Sequence, residues 1–423
     1  MKQVFFIFTS IALIASCGRS AEEIRQQNLN ELKADVLFLS SDSLEGRATG
    51  SAGEAKAAAY LVQRFTDLGL SPMGDSGTFQ QFFEFVPKAN PHVMETGDSL
   101  SLGMGAVKPV RGSNIIGFID NKAEKTVIIG AHYDHLGMGD ESSLFAGEPA
   151  IHNGADDNSS GVAALLELAQ RLKKPGHFSG NNYLIIAFSG EEKGLWGSNW
   201  FCKNPTLPLE NVNYMLNMDM VGRLKAERTL AINGVGTSPS WMPVLDSLQV
   251  DSINIVTTES GVGPSDHTSF YLKDIPVLHF FTGQHEDYHK PSDDADKINF
   301  EGMLSVINFI ETLIAQLDAK GELEFTKTKD DSNENSPRFT VTLGVVPDYL
   351  YSGDGMRIDG VSEGKLAQRL GLQSGDIVRA LGDSAVVDMM SYMRALSAYS
   401  SGDSSLLVID RGGNELRFPV KFD

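Results

Sequence analysis

An α/β architecture, with a mainly parallel sheet sandwiched by helices and a small β-rich unit after it, is what this 423-residue sequence predicts. Three observations predict it. From about residue 113 to residue 318, apolar strand-like runs alternate with helical segments, the order that builds a parallel sheet covered on both faces. Residues 320–336 then turn polar and charged without apolar periodicity, as a linker does. Short strands follow over residues 337–423, with one helix among them.

The elements follow in order. The N-terminus has Lys2, an apolar run from Val4 to Ala15 and then Cys17. The run is too short to cross a bilayer comfortably and suits export. "IASC" (Ile14 to Cys17) resembles a bacterial lipobox. Residues 1–17 are therefore expected to be a lipoprotein signal peptide, with Cys17 lipidated. The protein would then be exported and lipid-anchored at a bacterial membrane, periplasmic or at the cell surface. Cys202 would be the only other cysteine, with no partner for an intramolecular disulfide. No other stretch reads as a membrane span.

"AEEIRQQNLNELKADVLFLSS" has a helical pattern, and "DSLEGRATGS" is a loop. In "EAKAAAYLVQRFTDLGL", Ala58, Val62, Phe65 and Leu68 recur at helical spacing and Gly69 stands where a C-terminal cap belongs. "NIIGFI", "KTVIIGAHYD", "NYLIIAFSGEE", "VNYMLNMDM" and "IPVLHFF" read as strands. "SSGVAALLELAQRLKK" reads as a helix capped by Ser159 or Ser160, and "NFEGMLSVINFIETLIAQLD" as a long terminal helix. "SDHTSFYLK" opens a short helix, with Ser265 or Asp266 as its cap. In the C-terminal unit, Gly412–Gly413 closes a final hairpin.

Composition bounds the function. With 35 Lys plus Arg against 55 Asp plus Glu, the net charge is −20, which argues against nucleic acid as a partner. The acidic residues also gather in a telling way. "NGADDNSSG" places Asp156 beside Asp157 in a glycine-rich turn. "VIIGAHYDH" ends in His132 and Asp134, "IIAFSGEE" in Glu191 and Glu192, "MLNMDM" in Asp219, and "VLHFFTGQHEDYHKPSD" runs on to His289. The C-terminal strand ends of an open parallel sheet line one crevice, where ligands bind. His132, Asp157, Glu191, Glu192, Asp219 and His289 can converge there. So many carboxylates do not stay buried and unpaired; a pair of divalent ions neutralises them.

These segments resemble the zinc-dependent M28 aminopeptidases over about residues 35–318. "LSSDSLEGRATGSAGEAKAAAYL", "AHYDH", "GADDNSSG", "FSGEEKGLWGS", "NMDMVGR", "SDHTSF" and "YHKPSD" match that family's ordered motifs. The stretch from Ser71 to Gly112 is too short for an inserted protease-associated domain. The resemblance implies an M28-type peptidase domain over residues 18–319 with two Zn²⁺ per chain. His132, Asp157, Glu192, Asp219 and His289 would ligate, Asp157 bridging both ions, and the Asp157–Asn158 peptide would be cis. Glu191 would be the general base, and Tyr288 would help stabilise the tetrahedral intermediate, a packed aromatic being the alternative for it. Asp134 would hydrogen-bond His132 and fix its tautomer. The implied substrate is a peptide with a free N-terminus. Asp156 is an alternative to Asp157 that the motif alignment disfavours, His285 could compete with His289 for one ion but reads as a loop histidine, and His135, His267 and His279 read as structural or supporting.

Residues 337–423 resemble a bacterial protease-associated PDZ domain. "LGVV" (Leu343, Gly344, Val345, Val346) looks like its carboxylate-binding loop, and "AQRLGLQSGDIVRALGD" like its glycine-aspartate signature. This implies that a peptide or protein C-terminus adds as a strand beside the helix "DMMSYMRALSAYS"; a cap that binds no peptide is the alternative. Two other functions compete with a two-zinc aminopeptidase. One is a single-zinc glutaminyl cyclase of the same fold. The other is a non-catalytic lipid-anchored adaptor, which would need a broken site.

Overall fold

The computed structural model describes residues 20–86, 109–139, 142–174, 178–328, 341–348, 351, 353–361, 364–387 and 389–422. The expected signal peptide, Cys17 and the second half of the expected linker lie outside these residues.

The large unit runs through α1 (Ala21–Leu39), α2 (Ala52–Asp67), β1 (Ser71–Pro72), β2 (Gln80–Phe85), β3 (Val110–Ile119) and β4 (Thr126–His132). It continues with α3 (Gly161–Leu172), β5 (Asn182–Phe188), α4 (Trp196–Lys203), β6 (Val212–Met218) and β7 (Thr229–Asn233). It closes with α5 (Trp241–Leu245), β8 (Asn254–Thr258), α6 (His267–Tyr271), β9 (Val277–Phe281) and α7 (Phe300–Asp318). The nine strands form one sheet in the order β1-β3-β5-β4-β6-β9-β7-β8, with β2 also paired to β3.

The central strands β5, β4, β6 and β9 are mutually parallel. Both flanks are not: β3 lies antiparallel to β5, and β7 antiparallel to β9. The expected mainly parallel sheet is thus a mixed one, with a parallel middle, a parallel edge pair β7–β8 and antiparallel joins between them and at β3. Only a short loop joins β3 to β4, and a parallel return needs a longer crossover. Strands β1, β2, β7 and β8 were not expected. "TLAIN" and "NIVTT" are too short to show a period.

Every residue of β4 and β5 is buried. Along β5, Tyr183, Ile185 and Ala187 enter a core shared with α1, α2, α3, α5 and α7. Leu184, Ile186 and Phe188 enter the opposite one, with Phe201 of α4 and Phe270 of α6. This is the period of two that a strand imposes. Helix α7 is long and apolar enough to pass for a membrane span, but 61% of it is buried inside this unit; it is a core helix. Gly69 ends α2 as expected, at φ +68°, with Leu70 N–H donating to the Phe65 carbonyl.

Residues 321–328, expected to begin the linker, pack against the large unit instead. Leu323 is buried in the first core, and its N–H donates to Asn213 Oδ1 at 2.8 Å. Phe325 packs on Tyr271, and the Thr328 N–H and hydroxyl both meet the Tyr271 hydroxyl. Single apolar residues in a polar run left no period to read.

The C-terminal unit has a six-stranded sheet, β10 (Val345–Pro347), β11 (Met356–Val361), β12 (Ile377–Leu381), β14 (Ser404–Arg411) and β15 (Asn414–Lys421) in that order, with β13 (Ser384–Ala385) on β12. Its described pairings are antiparallel. Helices α8 (Leu366–Arg369) and α9 (Met389–Ser397) complete it, and α9 packs on β12 and β13. Arg411 pairs with Asn414 across Gly412–Gly413, both at positive φ, the turn expected for the last hairpin. Leu343 is buried with its carbonyl bonded to Ala367 N–H at 2.7 Å, Gly344 has φ +76°, and Val345 and Val346 pair with Val361 and Gly360.

Candidate metal centre

The sheet's parallel middle delivers side chains to one end. His132 is the last residue of β4, Glu191 and Glu192 follow β5, Asp219 follows β6, and His289 lies beyond β9. They line one pocket with Asp157, Met220, Asn233, Pro264, His279, Phe281, Gln284 and Tyr288, of cavity volume ≈ 90 Å³. A larger open groove of ≈ 730 Å³ lies between α1, α3 and α7. There Arg25 pairs with Glu301 and Arg171 with Glu311, so it is a solvated, self-neutralised surface.

Four imidazole–carboxylate separations define the pocket. His132 Nε2 is 3.3 Å from Asp157 Oδ1 and 3.3 Å from Asp219 Oδ1. His289 Nε2 is 3.3 Å from Asp157 Oδ2 and 3.4 Å from Glu192 Oε2. Two donors on one tetrahedral zinc, each about 2.0–2.1 Å from it, stand about 3.3–3.4 Å apart. Asp157 thus turns one oxygen towards each imidazole–carboxylate pair. These residues fit two zinc ions, with His132, Asp219 and Asp157 around one and His289, Glu192 and Asp157 around the other. Ligand atoms of His132, Asp157 and Asp219 all lie within 4.8 Å of one another, as do those of His135, Asp157 and Glu192.

The loop before α3 sets Asp157 apart from its neighbour. Asp156 Oδ1 accepts Gly222 N–H at 2.7 Å, and its Oδ2 lies 3.1 Å from His285 Nε2. Asp156 and His285 are each other's partners and stand outside the four contacts. The Asp157–Asn158 peptide is cis. Asn158 is fully buried: its amide donates to Met218 O, and its Oδ1 accepts from Met220 N–H and Gly161 N–H. Ser160 stands at the N-cap position of α3 without a side-chain cap bond, and the Asn158 side chain takes the Gly161 N–H instead. The Ser159 and Ser160 hydroxyls bond to the carbonyls of Gly154 and Asp156. Gly154 has φ +55°, and a Cβ there would stand 2.1 Å from the Asp157 carbonyl oxygen, so this turn admits only glycine.

Both imidazoles are aimed by main-chain oxygens. His289 Nδ1 lies 2.9 Å from Ser142 O, and His132 Nδ1 lies 3.2 Å from Asp134 O. With Nδ1–H donated, each Nε2 presents a lone pair to the pocket. The expected bond between Asp134 and His132 is thus made by the Asp134 main-chain oxygen. The Asp134 carboxylate is 3.8 Å from His132 Nδ1 and is taken by the Thr49 hydroxyl at 2.9 Å and Glu191 N–H at 3.2 Å. Asp134 fixes the tautomer through its carbonyl and orients Glu191 through its side chain. The expected role of Ser265 is corrected. It gives α6 no side-chain cap; its hydroxyl donates to Asp219 Oδ2 at 2.7 Å while accepting from Asn217 at 2.8 Å.

Charge shapes each group. Burial pushes the Glu191 carboxyl well above its usual range; Asp219 and Glu192 push the same way, against His132. Burial would raise Glu192 as well, and Asp157 adds to it, but His289 and His135 together hold that carboxyl down at about 2. Burial would lower His132, yet Asp219 and Glu191 raise it well above an ordinary imidazole. The site is thus rich in negative charge that seeks cations.

Some supporting residues gave no chemical signal in the sequence. Arg47 is buried, at φ +49°, and its guanidinium donates to the carbonyls of Leu39, Tyr133, Asn153 and Gly154. It ties the two loops that bear His132 and Asp157. Burial lowers it to about 10, opposed first by Asp157. Asp293 accepts the N–H groups of Asp156 and Asp157, and burial raises it to about 6. The ring of Tyr288 stacks on His289, centroids 3.8 Å apart, and packs near Met220 and Phe281.

Residues 114–314 match the model of peptidase family M28. The matched segment holds all six residues of the pocket's chemistry. A probable leucine aminopeptidase of Trichophyton verrucosum is 30% identical over 202 residues, covering 45% of this chain and 53% of that protein. The chain spans about half to two thirds of the length of the first curated relatives it matches. Among solved structures, BSAP, a zinc aminopeptidase from Bacillus subtilis, superposes with a TM-score of 0.51 at 19% identity, over 72% of this chain and 97% of that one. A glutaminyl cyclase from Porphyromonas gingivalis does so with 0.51 at 18% identity, over 69% and 98%. At such identities these likenesses show the fold: a mixed α/β sheet like that of zinc aminopeptidases.

Proposed function

We propose that this protein is a two-zinc metallo-aminopeptidase that removes N-terminal residues from peptides. One observation carries the reading: Asp157 divides its two oxygens between a His132–Asp219 pair and a His289–Glu192 pair, each contact at the edge length of a zinc tetrahedron. His132, Asp157 and Asp219 would hold one ion, and His289, Asp157 and Glu192 the other. When bound, the ions would activate water and polarise the scissile carbonyl.

The chain's own residues supply the rest. Glu191 lines the pocket without belonging to any of the four contacts, and its raised carboxyl makes it the stronger proton acceptor. It takes the proton of the attacking water and delivers it to the leaving amine. Tyr288, lining the same pocket, donates to the developing oxyanion.

The test is zinc content together with hydrolysis of amino-acid p-nitroanilides. Two equivalents of zinc per chain and turnover lost to chelator are expected. One equivalent, with ammonia released from N-terminal glutamine, would establish the cyclase instead. Metal-free protein without turnover would leave the adaptor.

Two further parts belong to the proposal. Strand β10 ends the path of the C-terminal sheet, and its outer edge would take a peptide or protein C-terminus as an added strand at Leu343, Gly344, Val345 and Val346, in the manner of a PDZ domain. Lipidation at Cys17 would hold the protein at a membrane outside the cytoplasm.

A further inference from the structure

His135 has no ligand role in the reading above, yet it is fully buried beside the second ion's residues. Its Nδ1 is 2.8 Å from Glu192 Oε1 and 3.9 Å from Asp157 Oδ2. Its ring rests on Gly154, where a Cβ would come within 2.5 Å of it. No partner is seen for its Nε2 among the described residues. The separation to Glu192 is a hydrogen-bond length, shorter than the about 3.3 Å expected between two donors on one zinc. The imidazole therefore donates Nδ1–H to Oε1 and leaves Oε2, 3.4 Å from His289 Nε2, to face the ion. Asp219 is treated alike on the other side: Ser265 holds Oδ2, and Oδ1 faces His132. Each terminal carboxylate thus has one oxygen tied and one free.

From this geometry we infer that His135 is a positioning residue for the second ion: it holds Glu192 to one-oxygen ligation and so keeps a coordination position open for water or substrate. The inference rests on the two-zinc reading. It concerns only the His289–Glu192 side, so its loss and the loss of that reading show differently.

The experiment compares the full-length wild type, His135→Phe and His135→Asn. Zinc stoichiometry and dissociation constants are measured by chelator competition, with far-UV circular dichroism to establish folding. In His135→Phe the first ion should bind as in the wild type and the second about 10–100-fold more weakly, the usual cost of losing such a partner. His135→Asn can place an amide N–H where Nδ1–H stands, and it should recover most of that affinity. Wild-type affinity for both ions in His135→Phe overturns the inference. So does a folded His135→Asn as weak as His135→Phe, because the imidazole would then be a ligand itself. Should His135→Phe not fold, His135→Asn decides: tight second-ion binding supports the hydrogen bond, and its loss overturns it. A wild type that takes up only one ion removes the two-zinc reading, and this inference with it, before any variant is compared.

Discussion

Glu191→Gln is expected to lower kcat by about 100- to 10,000-fold, the span of general acid–base catalysis, while zinc stays bound. The substitution keeps the side chain's size and its place in the pocket wall, and it takes away the basic oxygen. None of the four imidazole–carboxylate contacts involves Glu191, so the ligand set survives. Its main chain stays pinned as well, because Glu191 N–H donates to Asp134 Oδ1. Turnover of an aminoacyl p-nitroanilide and zinc by atomic emission, on one sample, check this. A variant that loses its zinc would show that Glu191 is a ligand and that the roles of the acidic pair are reversed.

Asp157→Asn is expected to do more. Asp157 gives one oxygen to each side, and an asparagine offers one oxygen and one amide. Zinc should fall from two equivalents to one or none, and turnover to background. Stability reports the same loss. A ligand at about a hundred times its dissociation constant stabilises the native state by about 2.7 kcal/mol. Added zinc should therefore raise the unfolding midpoint of the wild type well beyond that of Asp157→Asn. Equal zinc-induced shifts in the two proteins would remove Asp157 from both sites.

The site was legible because its residues stand in short segments directly after strands. His132, Glu191, Glu192 and Asp219 are fixed by where β4, β5 and β6 end, and strand ends show in the apolar runs. The flanks were not legible. Whether β3 runs with or against β5 depends on how the chain returns, and the apolar character of "NIIGFI" is the same either way. The partners of the chemical residues were also hidden. Ser265 looked like a cap, and no pattern showed that Asp134 accepts from His132 through its main-chain oxygen. Which oxygen faces which imidazole is decided by packing at the scale of a rotamer. Arg47 and Asp293 act on main-chain groups, and main-chain partners leave no trace in a residue pattern.

The segment after α7 bears on how the protein can be divided. A fragment of the large unit ended at Ala319, where the composition changes, would strip away Leu323, Phe325 and Thr328 and bare the apolar surfaces they cover. Emptying a single buried leucine site costs about 2–5 kcal/mol, a large part of the margin of an ordinary domain. A fragment carried through Thr328 should give soluble protein with a cooperative melt, and one cut at Ala319 should aggregate or melt several degrees lower.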